Sequence, residues 1–168
     1  MGIPRECPSC GNFLYLKGNQ SKIDTNFLDQ KPKFNEFLMK LLPEDISDSF
    51  INLGEGNTPL LKSRKAKGNI YFKDESRNPT KSYRDRAAAA MVSIAHYLGL
   101  QSVFSASNGN LGASVSAYAA NAGLKARIYA KKNMDIGKKS QIITYGGYLS
   151  DIYTDFDDAV VACMEERK

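Results

Sequence analysis

Apolar residues from position 80 onward switch repeatedly between strand-like and helix-like spacing. The pattern predicts strands over 103–106, 126–130 and 148–153, and helices over 82–98, 108–123, 135–145 and 156–168. Each strand-plus-helix unit occupies about 20–25 residues, which is typical of a parallel sheet with crossover helices. The predicted fold class is therefore α/β with a small parallel sheet, and a ligand would bind at the carboxyl ends of its strands.

The first half of the chain has a less regular pattern. Residues 1–30 are polar and predicted to be irregular, whereas 33–42 carry apolar residues at helical spacing and predict an amphipathic helix. Pro43 ends that helix. A connector rich in Gly and Pro covers 53–63, and 69–73 predict a short strand. The predicted organisation is an N-terminal extension over 1–49, a connector and strand over 50–79, and an α/β domain over 80–168.

Composition is that of a globular protein, with 42% hydrophobic and 24% charged residues, which excludes disorder as the main state. The net charge of +5 is spread over several short basic stretches without interleaved aromatic residues, so nucleic acid is not an expected partner. No run of about 18 apolar residues predicts a membrane span. The first residues, MGIPRECPSCG, lack an apolar signal region, so a cytoplasmic location is expected.

Cysteine and histidine are too few for most metal or nucleophile chemistry. Cys7 and Cys10 form half of a zinc knuckle, but a closed structural zinc site needs four ligands. Cys163 and His96 are the remaining cysteine and histidine, and both are distant in sequence. A degenerate ribbon, a simple turn, or a zinc site shared between two chains would each explain the pair. Catalysis by Cys/His or Ser/His is not expected.

The most informative loop is SASNGNLGAS at 105–114, between a predicted strand and a predicted helix. The helix start offers unpaired N–H groups, and Gly109 and Gly112 would let a ligand approach closely. Ser107, Asn108 and Asn110 add side-chain donors around Leu111. The loop therefore predicts an anion pocket for a carboxylate or a phosphate. Helix capping by Asn108 is the structural alternative.

Two more motifs accompany this loop: GEGNTPL at 54–60 and YFKDESRNPTKSYRDR at 71–86. Their order and spacing resemble threonine synthase, a fold-type-II pyridoxal-phosphate enzyme, over roughly residues 50–168. The resemblance implies that 80–168 form the smaller domain of such an enzyme. It further implies pyridoxal phosphate as cofactor and conversion of O-phosphohomoserine to threonine as the family reaction.

The resemblance also implies roles within the loop. Asn110 would contact the ring oxygen of the cofactor, and its neighbours would bind a substrate carboxylate. Those neighbours are Ser107, Asn108, Gly109, Leu111 and Gly112. Asn108 and Leu111 depart from the small hydroxyl residues or histidine that are usual in the family, whereas Ser107, Gly109 and Asn110 match.

The chain departs from the family at the residue that carries the chemistry. Arg84 stands where the resemblance places the Schiff-base lysine, and a guanidinium does not form an imine. Lys81 replaces a glycine three residues earlier, and from there its side chain is not expected to substitute for the missing amine.

The motifs of a second half, with its phosphate cradle, are also not found in these residues. The chain alone is therefore expected not to be catalytic. The alternative is a stand-alone module that binds a small anion or a protein. Homo-oligomers are expected, because large apolar patches associate.

Overall fold

The protein is described by a computed structural model, which covers Ser9 and residues 23–65 and 67–166. The described helices are α1 Thr25–Asp29, α2 Phe34–Leu41, α3 Arg84–Tyr97, α4 Asn110–Asn121, α5 Ile136–Thr144 and α6 Phe156–Glu165. The described strands are β1 Leu60–Lys62, β2 Tyr71–Lys73, β3 Ser102–Ala106, β4 Lys125–Lys131 and β5 Tyr148–Tyr153. Two short 3-10 helices cover Glu44–Ser49 and Glu75–Arg77.

The predicted parallel sheet is confirmed, with strand order β3-β4-β5. Ser102 pairs with Lys125, and Arg127 pairs with Tyr148. The helix ends follow from local chemistry. Gly99 and Gly123 follow α3 and α4 with φ of 68° and 71°, a left-handed conformation that glycine adopts at little cost. Asp155 caps α6 by accepting the N–H of Asp158 at 2.9 Å.

Two short elements differ from the sequence prediction. Residues 25–29 form a helix rather than an irregular segment, because Asp24 caps it by accepting the N–H of Phe27 at 2.8 Å. Residues 60–62 form a strand within the predicted connector, paired antiparallel with β2. With five and three residues, both elements are too short for the spacing of apolar residues to reveal them.

One apolar core joins the N-terminal extension to the α/β domain. Its buried residues include Leu38 of α2, Ile46 of the following 3-10 helix, Val92 of α3, Tyr118 of α4 and Ile128 of β4. Helix α3 packs against α4, and α4 packs against α5 and the sheet. The amphipathic face of α2 is thus used within the chain.

The topology places the starts of α3 and α4 at the same end of the sheet. Helices α3 and α4 pack side by side, and each ends just before a strand of the same parallel sheet. Both helix starts therefore lie toward the carboxyl ends of the strands. Within the described residues, no helix is long and apolar enough to cross a membrane.

Candidate functional site

The loop between β3 and α4 is closed by the side chain of Ser107. Its Oγ accepts the N–H of Gly112 at 2.9 Å and the N–H of Gly109 at 3.3 Å. In the described part of the chain, the N–H groups of Asn110 and Leu111 have no protein acceptor. The first turn of α4 therefore keeps two open donors at its positive end, and an anion would be favoured there.

Two residues of this loop make contacts that the sequence did not predict. Asn108 does not cap α4, because its Oδ1 accepts the N–H of Lys131 at 2.9 Å and ties the loop to the end of β4. Gly112 is buried, and a Cβ there would lie 2.9 Å from Ile128 Cγ2 and 3.1 Å from Ile142 Cδ1. Close packing against these side chains favours glycine at 112. Gly109 has open space around it.

Arg84 is the first residue of α3, two residues after the helix start at 82 that the sequence predicted. Its N–H donates to Ser82 Oγ at 3.2 Å, so Ser82 satisfies one donor of the helix start. The side chain is exposed, and its guanidinium carbon lies 4.7 Å from the centre of the Tyr83 ring. No carboxylate of the described residues forms an ion pair with Arg84. An unpaired cation at a helix N-terminus opposes the helix dipole, and a bound anion would relieve this repulsion.

Lys81 lies in a turn before α3, with φ of 66°. The N–H of Lys81 donates to the carbonyl of Asn78 at 2.9 Å, which holds the turn, and the side chain is exposed. Left-handed backbone favours glycine, the residue that the resemblance places here. Lys81 therefore adds a second positive charge close in sequence to Arg84, and its left-handed backbone is strained.

A buried hydrogen-bond network holds the start of α3 against α4. The Asp85 carboxylate is fully buried and accepts the Thr80 N–H at 2.7 Å and the Thr80 hydroxyl at 2.5 Å. The Thr80 hydroxyl also lies 2.9 Å from Ser114 Oγ on α4. Because Ser114 is one turn beyond Asn110, this contact places the segment carrying Lys81 and Arg84 beside the first turns of α4.

A second network braces the same segment from the other side. Arg86 donates to both carboxylate oxygens of Glu75, at 2.8 and 2.9 Å. The Thr58 hydroxyl donates to Glu75 at 2.6 Å, and Asn78 donates at 2.9 Å. These donors, Arg86 foremost, lower the pKa of Glu75 from 4.5 to about 2. The carboxylate therefore stays ionised and paired at neutral pH.

The motif GEGNTPL is tied to α4 through Glu55. This carboxylate is buried and accepts the Tyr118 hydroxyl at 2.7 Å and the N–H of Leu53 at 3.0 Å. Burial, together with the Glu55 carboxylate, raises the pKa of the Tyr118 phenol far above its usual value. This contact was not predictable from the motif, because a partner 63 residues away leaves no local signal.

The predicted half zinc knuckle at Cys7 and Cys10 lies outside the described residues. Within the described ranges, no cluster of three or more His, Cys, Asp or Glu side chains is arranged to hold a metal. Cys163 lies half-buried on α6. Zinc thus gains no support from the described part of the chain.

Comparison with known proteins gives a consistent result. Residues 51–168 match the family described as pyridoxal-phosphate dependent enzyme. Threonine synthase of Methanocaldococcus jannaschii is 30% identical over 161 residues, covering 90% of this chain and 40% of that protein. Threonine synthase of Methanosarcina acetivorans is 33% identical over 173 residues, with 96% and 42% covered. The chain thus spans about two fifths of the length of these curated relatives.

Solved structures of other proteins share the fold of this chain. O-ureido-L-serine synthase superposes with a TM-score of 0.61 at 25% identity, covering 74% of this chain and 41% of that one. Diaminopropionate ammonia lyase from Escherichia coli superposes with a TM-score of 0.62 at 20% identity, covering 80% and 40%. At that identity the second likeness shows the fold alone.

Proposed function

Because the chain belongs to the family of pyridoxal-phosphate dependent enzymes, we propose that it is a threonine-synthase-like protein that binds a small anionic amino acid ionically, without a covalent link to the cofactor at residue 84. The observation that carries this proposal is Arg84. It stands at the start of α3, next to Asp85 and close to Arg86, which belong to two intact hydrogen-bond networks, and its side chain cannot form an imine.

The family implies pyridoxal phosphate, an aldehyde that the related enzymes hold through a lysine. A guanidinium remains protonated and is not a nucleophile toward an aldehyde. Lys81 keeps an amine, but it lies three residues away in a different turn. The residues present therefore do not fit a covalently held cofactor at the family position, and we assign no reaction step to this chain alone.

The same residues suit ionic recognition. A guanidinium presents a planar set of donors that matches a carboxylate or a phosphate. Arg86 donates to both carboxylate oxygens of Glu75, whereas Arg84 has no carboxylate partner among the described side chains. Arg84 is therefore the arginine of this region that is available to an incoming anion, and Lys81 adds charge beside it.

The start of α4 supplies the second half of the site. The open N–H groups of Asn110 and Leu111 can hold one anionic group, and Arg84 can hold another. A ligand with two anionic groups, such as an amino acid that carries a phosphate, matches this pair in its chemistry. O-phosphohomoserine, the substrate of the family reaction, has this chemistry.

Titration of the full chain with O-phosphohomoserine, followed by backbone amide NMR, tests the proposal. We expect the largest shifts at Asn110, Leu111 and Arg84, with an affinity near 1 mM, or about −4 kcal/mol. Arg84→Gln should weaken binding about tenfold, because it removes a charged hydrogen-bond donor. Arg64→Gln, an exposed arginine in the basic turn, is the matched control and should leave the affinity unchanged. Shifts concentrated at 62–67 would contradict the proposal.

A further inference from the structure

Phe34, the first residue of α2, lies against the turn of the GEGNTPL motif, although the family match begins only at residue 51. Its N–H donates to Asn57 Oδ1 at 3.2 Å. A Cβ on Gly56 would lie 2.2 Å from Phe34 Cβ, so glycine at 56 lets Phe34 pack directly on this turn. The N–H of Gly56 donates to Asn78 Oδ1 at 2.9 Å. These contacts join the N-terminal extension to the segment that leads into α3.

The ring of Phe34 also covers the guanidinium of Arg86. The guanidinium carbon lies 4.7 Å from the centre of the ring, within the range of a cation–π contact. The same guanidinium donates to both carboxylate oxygens of Glu75, and both side chains are 25% exposed. Two further charged groups lie near this pair, since Lys73 of β2 lines the same hollow and the buried Glu55 attracts Arg86. The ring keeps water from part of the ion pair, which strengthens the attraction between its charges.

The ion pair in turn holds the part of α3 that carries the candidate anion site. Arg86 is the third residue of α3, two positions after Arg84. Its side chain ties the first turn of the helix to Glu75, while Asp85 ties the same turn to Thr80. A movement of Arg86 away from Glu75 would therefore move Arg84 relative to the start of α4. A side chain that holds Arg86 in place thus acts on Arg84 without touching it.

We propose that Phe34 is a positioning residue for the anion site, because its ring holds the Arg86 guanidinium on Glu75 and so fixes the first turn of α3. The N-terminal extension is then part of the support of the site. The effect of Phe34 on ligand binding rests on the proposed function, whereas its effect on the ion pair does not.

The first measurement follows the Glu75 carboxyl carbon by NMR in the full chain as the pH is lowered. Phe34→Leu exposes the ion pair to water and should raise the pKa of Glu75, so that the protonated fraction at about pH 3 increases about threefold. Phe34→Met also lacks the ring and should behave alike, whereas Phe34→Tyr keeps the ring and should match the wild-type chain. Phe27→Leu is the matched control, because the Phe27 ring lies 5.5 Å from Lys40 Nζ in the same extension.

The wild-type chain offers a readout that needs no variant. Nuclear Overhauser effects between the Phe34 ring and the Arg86 Nε–H report the contact directly, and their absence would overturn the proposal. An unchanged Glu75 titration in Phe34→Leu and Phe34→Met, or an equal change in Phe27→Leu, would overturn it as well.

The second measurement is the affinity of the same variants for O-phosphohomoserine. Phe34→Leu and Phe34→Met should weaken binding about threefold, and Phe34→Tyr and Phe27→Leu should leave it unchanged. If the wild-type chain bound no O-phosphohomoserine, the proposed function would be refuted, and the Glu75 titration would still decide whether Phe34 holds the ion pair. If the wild-type chain bound it and Phe34→Leu bound it equally well, the positioning role alone would be refuted.

Discussion

Two residues at the start of α3 decide what this site can do. Arg84 keeps the positive charge of a lysine at the same position but loses the amine that forms an imine. Lys81 puts a side chain at a left-handed position, φ of 66°, where glycine would be unstrained. Both residues carry charge, and neither forms an ion pair with the described carboxylates. Their shared consequence is a small, basic surface beside the open N–H groups of α4.

Replacement of Lys81 by glycine should stabilise the protein. A left-handed conformation costs an L-residue roughly 1–2 kcal/mol, part of which is offset by the greater freedom of glycine in the unfolded chain. We therefore expect Lys81→Gly to raise the free energy of unfolding by about 0.5–1 kcal/mol, measured by urea denaturation. Lys81→Ala removes the same charge but keeps the strained backbone, so it should not stabilise. Equal stabilisation by both variants would show that charge, rather than backbone strain, is the cause.

At the scale of elements, the spacing of apolar residues was a good predictor from α3 to α6. These elements are long enough to show a period, and glycines or an aspartate mark their ends. The position of Arg84 at a helix start was likewise predictable from the motif. The networks around it were not, because Thr80, Asp85 and Ser114 meet only after the chain folds, across 34 residues. The packing around Gly112 was not predictable for the same reason, since Ile128 and Ile142 come from other elements, and ligand binding at this loop stays a prediction.

The Glu75–Arg86 network makes the stability of this region depend on pH. The pKa of Glu75 is lowered from 4.5 to about 2, so its contribution is complete above about pH 4.5 and is lost as the pH falls toward 2. Because the Glu75 side chain is 25% exposed, solvent screening reduces the stabilisation expected from this lowered pKa to about 2–3 kcal/mol. In unfolding experiments between pH 6 and 2, Glu75→Gln should lower the free energy of unfolding at pH 6. The variant should also show a smaller fall in that free energy as the pH decreases.

Glu166→Gln provides the matched control for this experiment. Glu166 pairs with Arg127, but both side chains are more than 40% exposed, and exposed pairs contribute about 0–1 kcal/mol. This variant should keep the acid dependence of the wild-type protein. If Glu75→Gln and Glu166→Gln gave the same pH profile, the assignment of the acid-sensitive group to Glu75 would be wrong.

At the scale of the whole molecule, the N-terminal extension and the α/β domain share one core. Leu38 and Ile46 are buried with Val92 of α3, so the extension braces the helix that carries Arg84. The apolar face of α2 is used in this packing. Self-association therefore stays a prediction that rests on other exposed surface, such as Ile152 at 73%.

We propose that the chain keeps the framework of its family but holds the cofactor covalently at neither residue 84 nor Lys81. The direct measurement is to incubate the full chain with pyridoxal phosphate, reduce with borohydride, and map modified peptides by mass spectrometry. We predict no stoichiometric adduct in the peptide that contains Lys81 and Arg84, and an adduct at residue 84 in the Arg84→Lys variant. A stoichiometric adduct at Lys81 of the wild-type chain would contradict the account and assign the imine to that lysine.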